Sequence, residues 1–479
     1  MLTKEDRVCG SKITLVLFAN FLSSPLLPPA PRLFLCPTAI QWLLLTLPRP
    51  SPNTRPPMFP RLLFTLLLLP TTTATATTPS PPPPVILLNG LAGARMQATL
   101  DKNSGPHSYC DRNSHGQSVD LWLSAKELVP GVIDCLFDNM ALRYNSTNKT
   151  YSNTPGVTLD GSVDFGGVDG LNYLDKGVKL SGYFATLISR LEKTLNYTVG
   201  KDLRGAPYDW RLAPDGLRQS VVGAASSLPY FTRLKQLVED TYTLNNNRAV
   251  VLLTHSMGGP VALSFLQLQT TEWKTTYVAG FMPLSPPFGG AVSTMLALVS
   301  GDTLGVPIVS HKIFHPIQST CASGPWLFPQ PSLWPSTDVL LTAGSTVYTS
   351  SNYTQLTSDL GLAQAHNMFV DGVNALALGA FEPPHVRVEV LRGTGVATMA
   401  SLVYSDRFVS GTVPNAPVER YEYAGDGTVN DRSLNRGKEW MGKQKELVRY
   451  WKYENTSHFG ILKSDEALDQ IVSLLVTFE

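Results

Sequence analysis

The sequence has almost no net charge and none of the short motifs that bind nucleotides or metals. Of its 479 residues, 38 are Lys or Arg and 37 are Asp or Glu, which gives a net charge of +1. A chain without excess charge has no general attraction for nucleic acid, so we expect no nucleic-acid partner. Its Gly-rich segments match neither a phosphate-binding loop nor a dinucleotide fingerprint, and no spacing matches a metal site. We therefore expect neither a metal nor another cofactor.

Charged residues are also scarce compared with apolar residues. They make up 16% of the chain, whereas hydrophobic residues make up 43%. This balance is typical of a globular protein with a large core and is compatible with contact with lipid. The length suffices for one large domain or two ordinary domains.

The apolar run Leu62–Leu69 is well short of the ~20 residues that a bilayer-spanning helix needs. The most apolar segment, Leu62–Leu69, follows Met58 and Arg61 and precedes an Ala-Thr-Ala segment at 74–76. A basic start, a short apolar core and a small A-x-A site together are typical of a secretory signal peptide. We predict a signal peptide at 58–76, with Met58 as the true start.

The residues on either side of this segment are rich in proline. We interpret residues 1–57, which have no clear periodicity, as an extended gene model or a disordered leader, and residues 77–84 as a stiff Pro-rich spacer. The alternative is one membrane anchor built from Ala39–Leu47 together with Leu62–Leu69. The prolines between those two segments disfavour this alternative.

The chain has only five cysteines, and two of them, Cys9 and Cys36, lie in the doubtful leader. Cys110 and Cys135 are 25 positions apart, and Cys321 is left over. In an exported protein Cys110 and Cys135 would form a disulfide that closes a loop. The alternative is that both are buried free thiols.

Sequons for N-glycosylation also favour the secretory route. Each is weak alone, because N-x-S/T arises by chance. We expect a secreted, vacuolar, lysosomal or other endomembrane-lumen protein. The sequons are Asn145, Asn148, Asn196, Asn352 and Asn455.

One segment predicts the chemistry. Val250–Leu253 is an apolar strand, a turn follows at 255–257, and a helical run extends from Pro260 to Leu268. A serine between a buried parallel strand and a helix is the geometry of a nucleophile elbow, so Ser256 is the candidate nucleophile. Thr254 stands where the first glycine of Gly-x-Ser-x-Gly is expected, so the strand–turn–helix context carries part of the argument.

A serine nucleophile needs a base, and in the α/β-hydrolase order the acid comes next and the histidine last. His458 lies in a loop directly before a closing amphipathic helix at Ala467–Phe478, which is where this fold places its base. The alternative for His458 is a solvated surface histidine.

The acid candidate is Asp426, in a Gly-Asp-Gly turn after a core strand predicted at Val418–Tyr423 and 32 residues before His458. The alternative for Asp426 is an ordinary Asp-Gly turn. Asp431 is the second candidate for the acid, and Asp406 is the third.

An oxyanion hole requires two backbone N–H groups that point at the developing charge. We predict that Met257, directly after the nucleophile, supplies one. The second should come from Leu91, in the glycine loop 89–93 that follows a strand at Val85–Leu88.

Short apolar strands alternate with helical segments, which predicts an α/β fold with a mostly parallel sheet. We predict an α/β-hydrolase core in two parts, 85–290 and 385–479, with a disulfide-closed lid loop at 110–135. Residues 291–384 contain few clean core strands and are interpreted as a cap insertion over the site.

The lid segment contains Leu121, Trp122 and Leu123, and an exposed Trp on a tethered loop can insert at a lipid interface. The alternative is that Trp122 packs on the core. Asp209 and Arg211 are predicted to form a buried ion pair, because an acid that precedes the serine does not fit the catalytic order.

Together these motifs resemble the lecithin–cholesterol acyltransferase family, including lysosomal phospholipase A2 and the plant members. The resemblance extends over roughly Val85–Phe478. It is carried by 89–93 with 100–102, the Cys110–Cys135 loop with Trp122, 206–211, 255–259, 425–429 and 457–458, and segment 300–307 is similar to the plant branch.

The resemblance implies acyl transfer from a glycerophospholipid, through an acyl-serine, to water or to a lipid alcohol at a phospholipid membrane or lipoprotein-like surface. It implies that Ser256 is the nucleophile, Asp426 the orienting acid and His458 the base. Leu91 and Met257 match the oxyanion positions, and Cys110–Cys135 matches the lid disulfide.

Two features depart from the family pattern. Cys321 lacks a partner for the second disulfide of animal members, and Asn89 stands where Pro is common. Alternative functions are a lipid-binding protein on the same fold without turnover, or a diacylglycerol acyltransferase.

Overall fold

The computed structural model describes residues 81–122, 124, 131–303, 310–372 and 381–478. The predicted leader at 1–57, the predicted signal peptide at 58–76, the first residues of the predicted spacer and Leu123 lie outside these ranges. Within the described ranges, no helix combines the length and apolar character that crossing a membrane requires.

The fold contains short strands that belong to four sheets. The strands are β1 Val85–Leu88, β2 Met96–Leu100, β3 Val119–Trp122, β4 Leu142–Asn145, β5 Thr150–Asn153, β6 Val157–Asp160, β7 Leu203–Gly205, β8 Val250–His255, β9 Val278–Leu284, β10 Leu341–Ala343, β11 Thr346–Tyr348, β12 Val388–Thr394, β13 Thr398–Tyr404, β14 Val418–Glu422 and β15 Val448–Glu454.

Helices connect and cover these strands. They are α1 Ile133–Met140, α2 Asp169–Asn172, α3 Ala185–Leu195, α4 Pro214–Leu217, α5 Tyr230–Leu244, α6 Gly258–Gln267, α7 Thr271–Tyr277, α8 Ser293–Val299, α9 His311–Gln318, α10 Ser323–Trp326, α11 Tyr353–Asp359, α12 Ala363–Val370, α13 Asp431–Leu434 and α14 Asp465–Leu475, with 3₁₀ turns at Lys179–Ser181, Arg436–Trp440 and Gly460–Leu462.

A six-stranded parallel sheet forms the centre, in the order β15-β12-β9-β8-β1-β7. The strands β1 and β8 are buried at every residue, as expected for a parallel sheet that helices cover on both faces. The carboxyl ends of parallel strands meet at one edge, where this class of sheet binds its ligands. This arrangement confirms the predicted α/β fold with a mostly parallel sheet.

An outer four-stranded sheet, in the order β11-β10-β13-β14, combines strands from the predicted cap with strands from beyond residue 384. The prediction of a core strand at Val418–Tyr423 is therefore wrong. Among the described strands, β14 pairs with β13 alone, and its residues Val418 and Tyr421 are largely exposed. The missing core strand is β15, whose edge position leaves only Val448 and Tyr453 buried, so its sequence lacks an apolar run.

The predicted ion pair between Asp209 and Arg211 is present. The Arg211 guanidinium is fully buried and donates to both carboxylate oxygens of Asp209, to the Met140 carbonyl and to Asn153 Oδ1. These bonds satisfy a buried charge that would otherwise be costly, which supports a structural role for Asp209.

The disulfide between Cys110 and Cys135 is present, as predicted, and joins the segment before β3 to α1. Cys321 is a buried free thiol.

Replacing both disulfide cysteines with Ser is expected to lower the free energy of unfolding by about 3 kcal/mol. The reason is that the disulfide closes a loop in the unfolded chain and so lowers the conformational entropy of that state. Urea unfolding measures the loss. Adding reductant should destabilise the wild type by a similar amount and leave the double variant unchanged; equal urea midpoints for the wild type and the variant would contradict the prediction.

Candidate active site

Three polar side chains meet at the carboxyl edge of the central sheet. His458 Nε2 lies 2.8 Å from Ser256 Oγ, and His458 Nδ1 lies 2.8 Å from Asp426 Oδ2. Asp426 is fully buried and His458 is only 3% exposed. The structure therefore brings the three predicted residues into one hydrogen-bonded chain.

Ser256 occupies a sharp turn between β8 and α6. Its φ is +54°, a left-handed conformation that non-glycine residues adopt rarely and mainly at functional turns. Two glycines start the helix where it approaches its neighbours closely. A Cβ at Gly258 would lie 2.5 Å from the Asn89 carbonyl oxygen, and one at Gly259 would lie 2.7 Å from Pro286 Cβ. The elbow geometry that the sequence predicts is thus present.

Asp426 reaches the site although β14 lies in the outer sheet. After β12 the chain passes from the central sheet into the outer sheet, where it forms β13 and β14. It then returns, so that Asp426 pairs with Val396 beside the carboxyl end of β12. Asp426 Oδ1 accepts the backbone N–H groups of Thr428 and Val429, at 3.1 and 2.8 Å. These bonds hold the carboxylate so that Oδ2 faces His458.

The alternative acids lie elsewhere. Asp431 accepts Arg392 Nη1 at 2.7 Å and Thr394 Oγ1 at 2.9 Å, so it is part of a partly buried structural ion pair. Asp406 is exposed and accepts the hydroxyl of its neighbour Ser405.

The hydrogen bonds of His458 define its tautomer. A carboxylate only accepts, so Nδ1 carries the proton that is donated to Asp426, and Nε2 accepts the Ser256 hydroxyl. The backbone N–H of His458 also donates to the Asp426 carbonyl, at 2.7 Å. This arrangement can take a proton from a serine hydroxyl.

Two backbone N–H groups border Ser256, as the oxyanion prediction requires. Neither the N–H of Leu91 nor that of Met257 donates to another described residue. Met257 is the N-cap of α6, where unpaired N–H groups and the helix dipole favour negative charge. Gly90 brings the first loop close, because a Cβ there would lie 2.7 Å from Ser256 Cβ. The roles of both N–H groups remain predictions.

The prediction that Trp122 is exposed for lipid contact is wrong. Trp122 and Leu121 are 6% and 2% exposed. The indole Nε1–H of Trp122 donates to the Ala92 carbonyl at 2.8 Å, and its ring packs edge-on against Trp210. The indole supports the loop that carries Leu91, since Trp is stable in a buried position once its N–H finds an acceptor.

Sequence reasoning missed two buried polar residues, Tyr183 and His255. Tyr183 Oη lies 2.7 Å from His255 Nδ1, and His255 Nε2 lies 2.9 Å from the His458 carbonyl oxygen. His255 could have been noticed as a titratable side chain at the end of an apolar strand, which requires buried partners. No comparable signal identified Tyr183, because its partners are distant in the sequence.

Buried neutral histidines predict a loss of stability in acid. Burial lowers the pKa of His255 and of His315, and for His255 the neighbouring His458 adds to this effect. The unfolded chain therefore binds more protons than the folded chain once the pH falls below the ordinary histidine pKa of about 6.5. The stability that the neutral histidines contribute is fully present above that pH. It is lost as the pH falls from the ordinary histidine pKa towards the lowered pKa values of the folded chain.

The substitution His315→Gln tests this prediction. His315 lies on α9 and donates to the Leu298 carbonyl. Between pH 7 and pH 5 we expect the unfolding free energy of the wild type to fall more steeply than that of His315→Gln, by up to about 1.4 kcal/mol per pH unit. Urea unfolding at several pH values measures the two slopes. Parallel slopes would show that His315 binds its proton equally in both states.

The described residues contain no group of three or more His, Cys, Asp or Glu side chains that could hold a metal ion.

Comparison with known proteins shows the family. The family model for lecithin:cholesterol acyltransferase matches residues 118–377. Lysosomal phospholipase A and acyltransferase from Bos taurus is 33% identical over 393 residues, covering 82% of this chain and 91% of the relative. Phosphatidylcholine-sterol acyltransferase from Rattus norvegicus is 32% identical over 392 residues, covering 82% and 84%.

The solved structure of the Tle4-Tli4 complex matches 83% of this chain and 99% of that chain at 11% identity, with a TM-score of 0.49. The family match extends over more than half of the chain, and the two relatives match four-fifths of it at about one-third identity. The chain therefore belongs to the lecithin:cholesterol acyltransferase family.

Proposed function

We propose that the protein is a serine O-acyltransferase and phospholipase that moves a fatty acyl group from a glycerophospholipid, through an acyl-Ser256 intermediate, to water or to a lipid alcohol. The observation that carries the proposal is the hydrogen-bonded chain from Ser256 through His458 to Asp426. Relatives named as a phospholipase A and acyltransferase and as a phosphatidylcholine-sterol acyltransferase support the substrate class.

In the first half-reaction Ser256 Oγ attacks the ester carbonyl while His458 Nε2 takes its proton. The carbonyl oxygen becomes an oxyanion, which accepts the N–H groups of Leu91 and Met257. Asp426 stabilises the imidazolium through Nδ1–H without taking the proton itself. The C–O bond of the leaving lysophospholipid then breaks, and His458 gives its proton to that oxygen.

In the second half-reaction the acceptor is water or the hydroxyl of a lipid alcohol. His458 takes the proton of the acceptor as its oxygen attacks the acyl-Ser256 carbonyl, and the same two N–H groups stabilise the new oxyanion. Collapse breaks the bond to Ser256 Oγ, which regains its proton from His458. The products are a free fatty acid or a new ester, and the enzyme is restored.

Product analysis tests the proposal. The protein is incubated with vesicles of phosphatidylcholine that carries a labelled acyl chain, with and without a sterol or a long-chain alcohol. We expect labelled fatty acid in every sample and a labelled ester wherever the alcohol serves as acceptor. Fatty acid alone would exclude transfer to those acceptors. No label released by the wild type, despite binding to the vesicles, would favour a lipid-binding protein without turnover.

The place of action is proposed to be the lumen of the secretory pathway or a compartment that it feeds. The disulfide requires an oxidising environment, and four sequons are exposed: Asn145, Asn148, Asn196 and Asn455.

We also propose that 110–135 acts as a lid and 291–384 as a cap. Tyr109 and Val132 flank the disulfide at 58% and 36% exposure, and they offer apolar contact with a phospholipid surface.

A further inference from the structure

Two buried side chains outside the Ser256–His458–Asp426 chain connect the loops that surround it. His255, the last residue of β8, is fully buried. Tyr183, two residues before α3, is 4% exposed. The proposed proton transfers involve neither of them.

Their hydrogen bonds run in one direction. The N–H of Gly90 donates to Tyr183 Oη at 2.9 Å, and Tyr183 Oη lies 2.7 Å from His255 Nδ1. His255 Nε2 faces the backbone carbonyl of His458 at 2.9 Å. Because a carbonyl can only accept, Nε2 carries the proton, Nδ1 accepts, and the Tyr183 hydroxyl donates to it.

Burial stabilises this single arrangement of protons. It lowers the pKa of His255, which keeps the imidazole neutral, and it raises the pKa of Tyr183, which keeps the hydroxyl able to donate. His255 therefore keeps the same tautomer while the adjacent His458 gains and loses a proton in each half-reaction.

The glycine loop is shaped around Tyr183. A Cβ at Gly93 would lie 2.7 Å from Tyr183 Cζ, and one at Gly90 would lie 3.1 Å from its hydroxyl. Neither glycine has a positive φ, whereas Ala92 between them has one of +56°. These two glycines therefore provide room for the tyrosine rather than an unusual backbone conformation.

We propose that Tyr183 and His255 are positioning residues that hold the loop of Leu91 and the loop of His458 at a fixed spacing on either side of Ser256. Tyr183 orients the Gly90 amide, next to the predicted oxyanion donor at Leu91, and His255 holds the backbone of the base. The inference depends on the proposed function of that site. Donors act on an oxyanion only within a narrow range of distances, and a displacement of about 1 Å can lower the rate roughly 10²-fold.

The test compares Tyr183→Phe with Tyr197→Phe. Tyr197 is similarly buried and donates its hydroxyl to the Pro83 carbonyl at 2.5 Å, away from the site. Both variants lose one buried hydroxyl, so both are expected to lose some stability. With p-nitrophenyl butyrate as substrate, kcat of folded Tyr183→Phe should fall ~10- to 100-fold with KM within about twofold, whereas Tyr197→Phe should match the wild type. A kcat for Tyr183→Phe within twofold of the wild type would overturn the inference.

A second pair of variants tests the direction of the bonds and serves alone if Tyr183→Phe does not fold. In His255→Gln the amide nitrogen can donate to the His458 carbonyl and the amide oxygen can accept from Tyr183. In His255→Leu neither bond can form. We expect Gln to retain at least tenfold more kcat than Leu, and equal kcat for the two variants would contradict a positioning role.

The rate at which a fluorophosphonate probe labels Ser256 distinguishes a failure of the positioning role from a failure of the proposed function. We expect fast labelling of the wild type, slow labelling of Tyr183→Phe and none of Ser256→Ala. Fast labelling of both the wild type and Tyr183→Phe would remove the inference and leave the proposed function intact. No Ser256-dependent labelling and no ester turnover in the wild type would remove both.

Discussion

Replacing Ser256 with Ala is expected to lower kcat for the release of fatty acid from phosphatidylcholine roughly 10⁶-fold, to the level of detection. The reason is that no acyl-enzyme can form without the Oγ atom that His458 Nε2 faces at 2.8 Å. Binding to phospholipid vesicles should be unchanged, since the loss concerns a bond that forms only during the reaction. Labelled phosphatidylcholine at saturating concentration measures the effect.

The matched control is Ser285→Ala. Ser285 directly follows β9, the strand next to β8, and is fully buried. Its φ is +48°, so its backbone is left-handed, as is that of Ser256. Its hydroxyl has no hydrogen-bond partner among the described residues. We expect this variant to keep its activity within a few-fold of the wild type. Substantial phosphatidylcholine turnover by Ser256→Ala would contradict the assignment of the nucleophile.

Replacing Asp426 with Asn is expected to lower kcat roughly 10⁴-fold. An amide has an N–H donor in place of one acceptor oxygen, so it can no longer fix His458 as the Nδ1–H tautomer or stabilise the imidazolium. KM should change little, because Asp426 is fully buried beneath the histidine. Steady-state kinetics with a soluble ester measures kcat and KM separately.

Asp431→Asn is the control for this prediction. It removes the carboxylate that binds Arg392 at 2.7 Å, so it should lower the thermal stability of the protein. The kcat of the folded fraction should stay within a few-fold of the wild type. A large loss of kcat in Asp431→Asn together with a small loss in Asp426→Asn would make Asp431 the orienting acid.

The sequence was sufficient to predict two of the polar residues that meet at the edge of the central sheet. Ser256 follows a fully buried strand that begins with four apolar residues, and His458 precedes an amphipathic helix, so local patterns indicate both positions. The structure brings Ser256, Asp426 and His458 together as expected, while their catalytic roles remain predictions.

The errors share a physical cause. Edge strands such as β15 bury few side chains, so they have no apolar run, whereas the outer strand β14 contains Val418 and Tyr421 without belonging to the core. The prediction of Asp426 depends partly on that wrong strand, whereas in the structure Asp426 is held by its pairing with Val396. Such a pairing between residues distant in the chain has no local signature.

Trp122 and Tyr183 show the same limit for single side chains. An aromatic residue with a polar group can lie at a surface or in the core, and the outcome depends on whether a partner is present. The Ala92 carbonyl is that partner for Trp122, and His255 is that partner for Tyr183. Both partners lie far away in the sequence, so only the folded chain reveals them.

The most direct test of the proposed Ser256 chemistry is covalent labelling of the full folded chain with a fluorophosphonate, followed by intact mass measurement and peptide mapping. We expect one probe per chain, attached to Ser256, with the rate falling by orders of magnitude in His458→Ala and no label in Ser256→Ala. A label on another residue, or unchanged labelling of Ser256→Ala together with continued hydrolysis of phosphatidylcholine, would contradict Ser256 as the nucleophile.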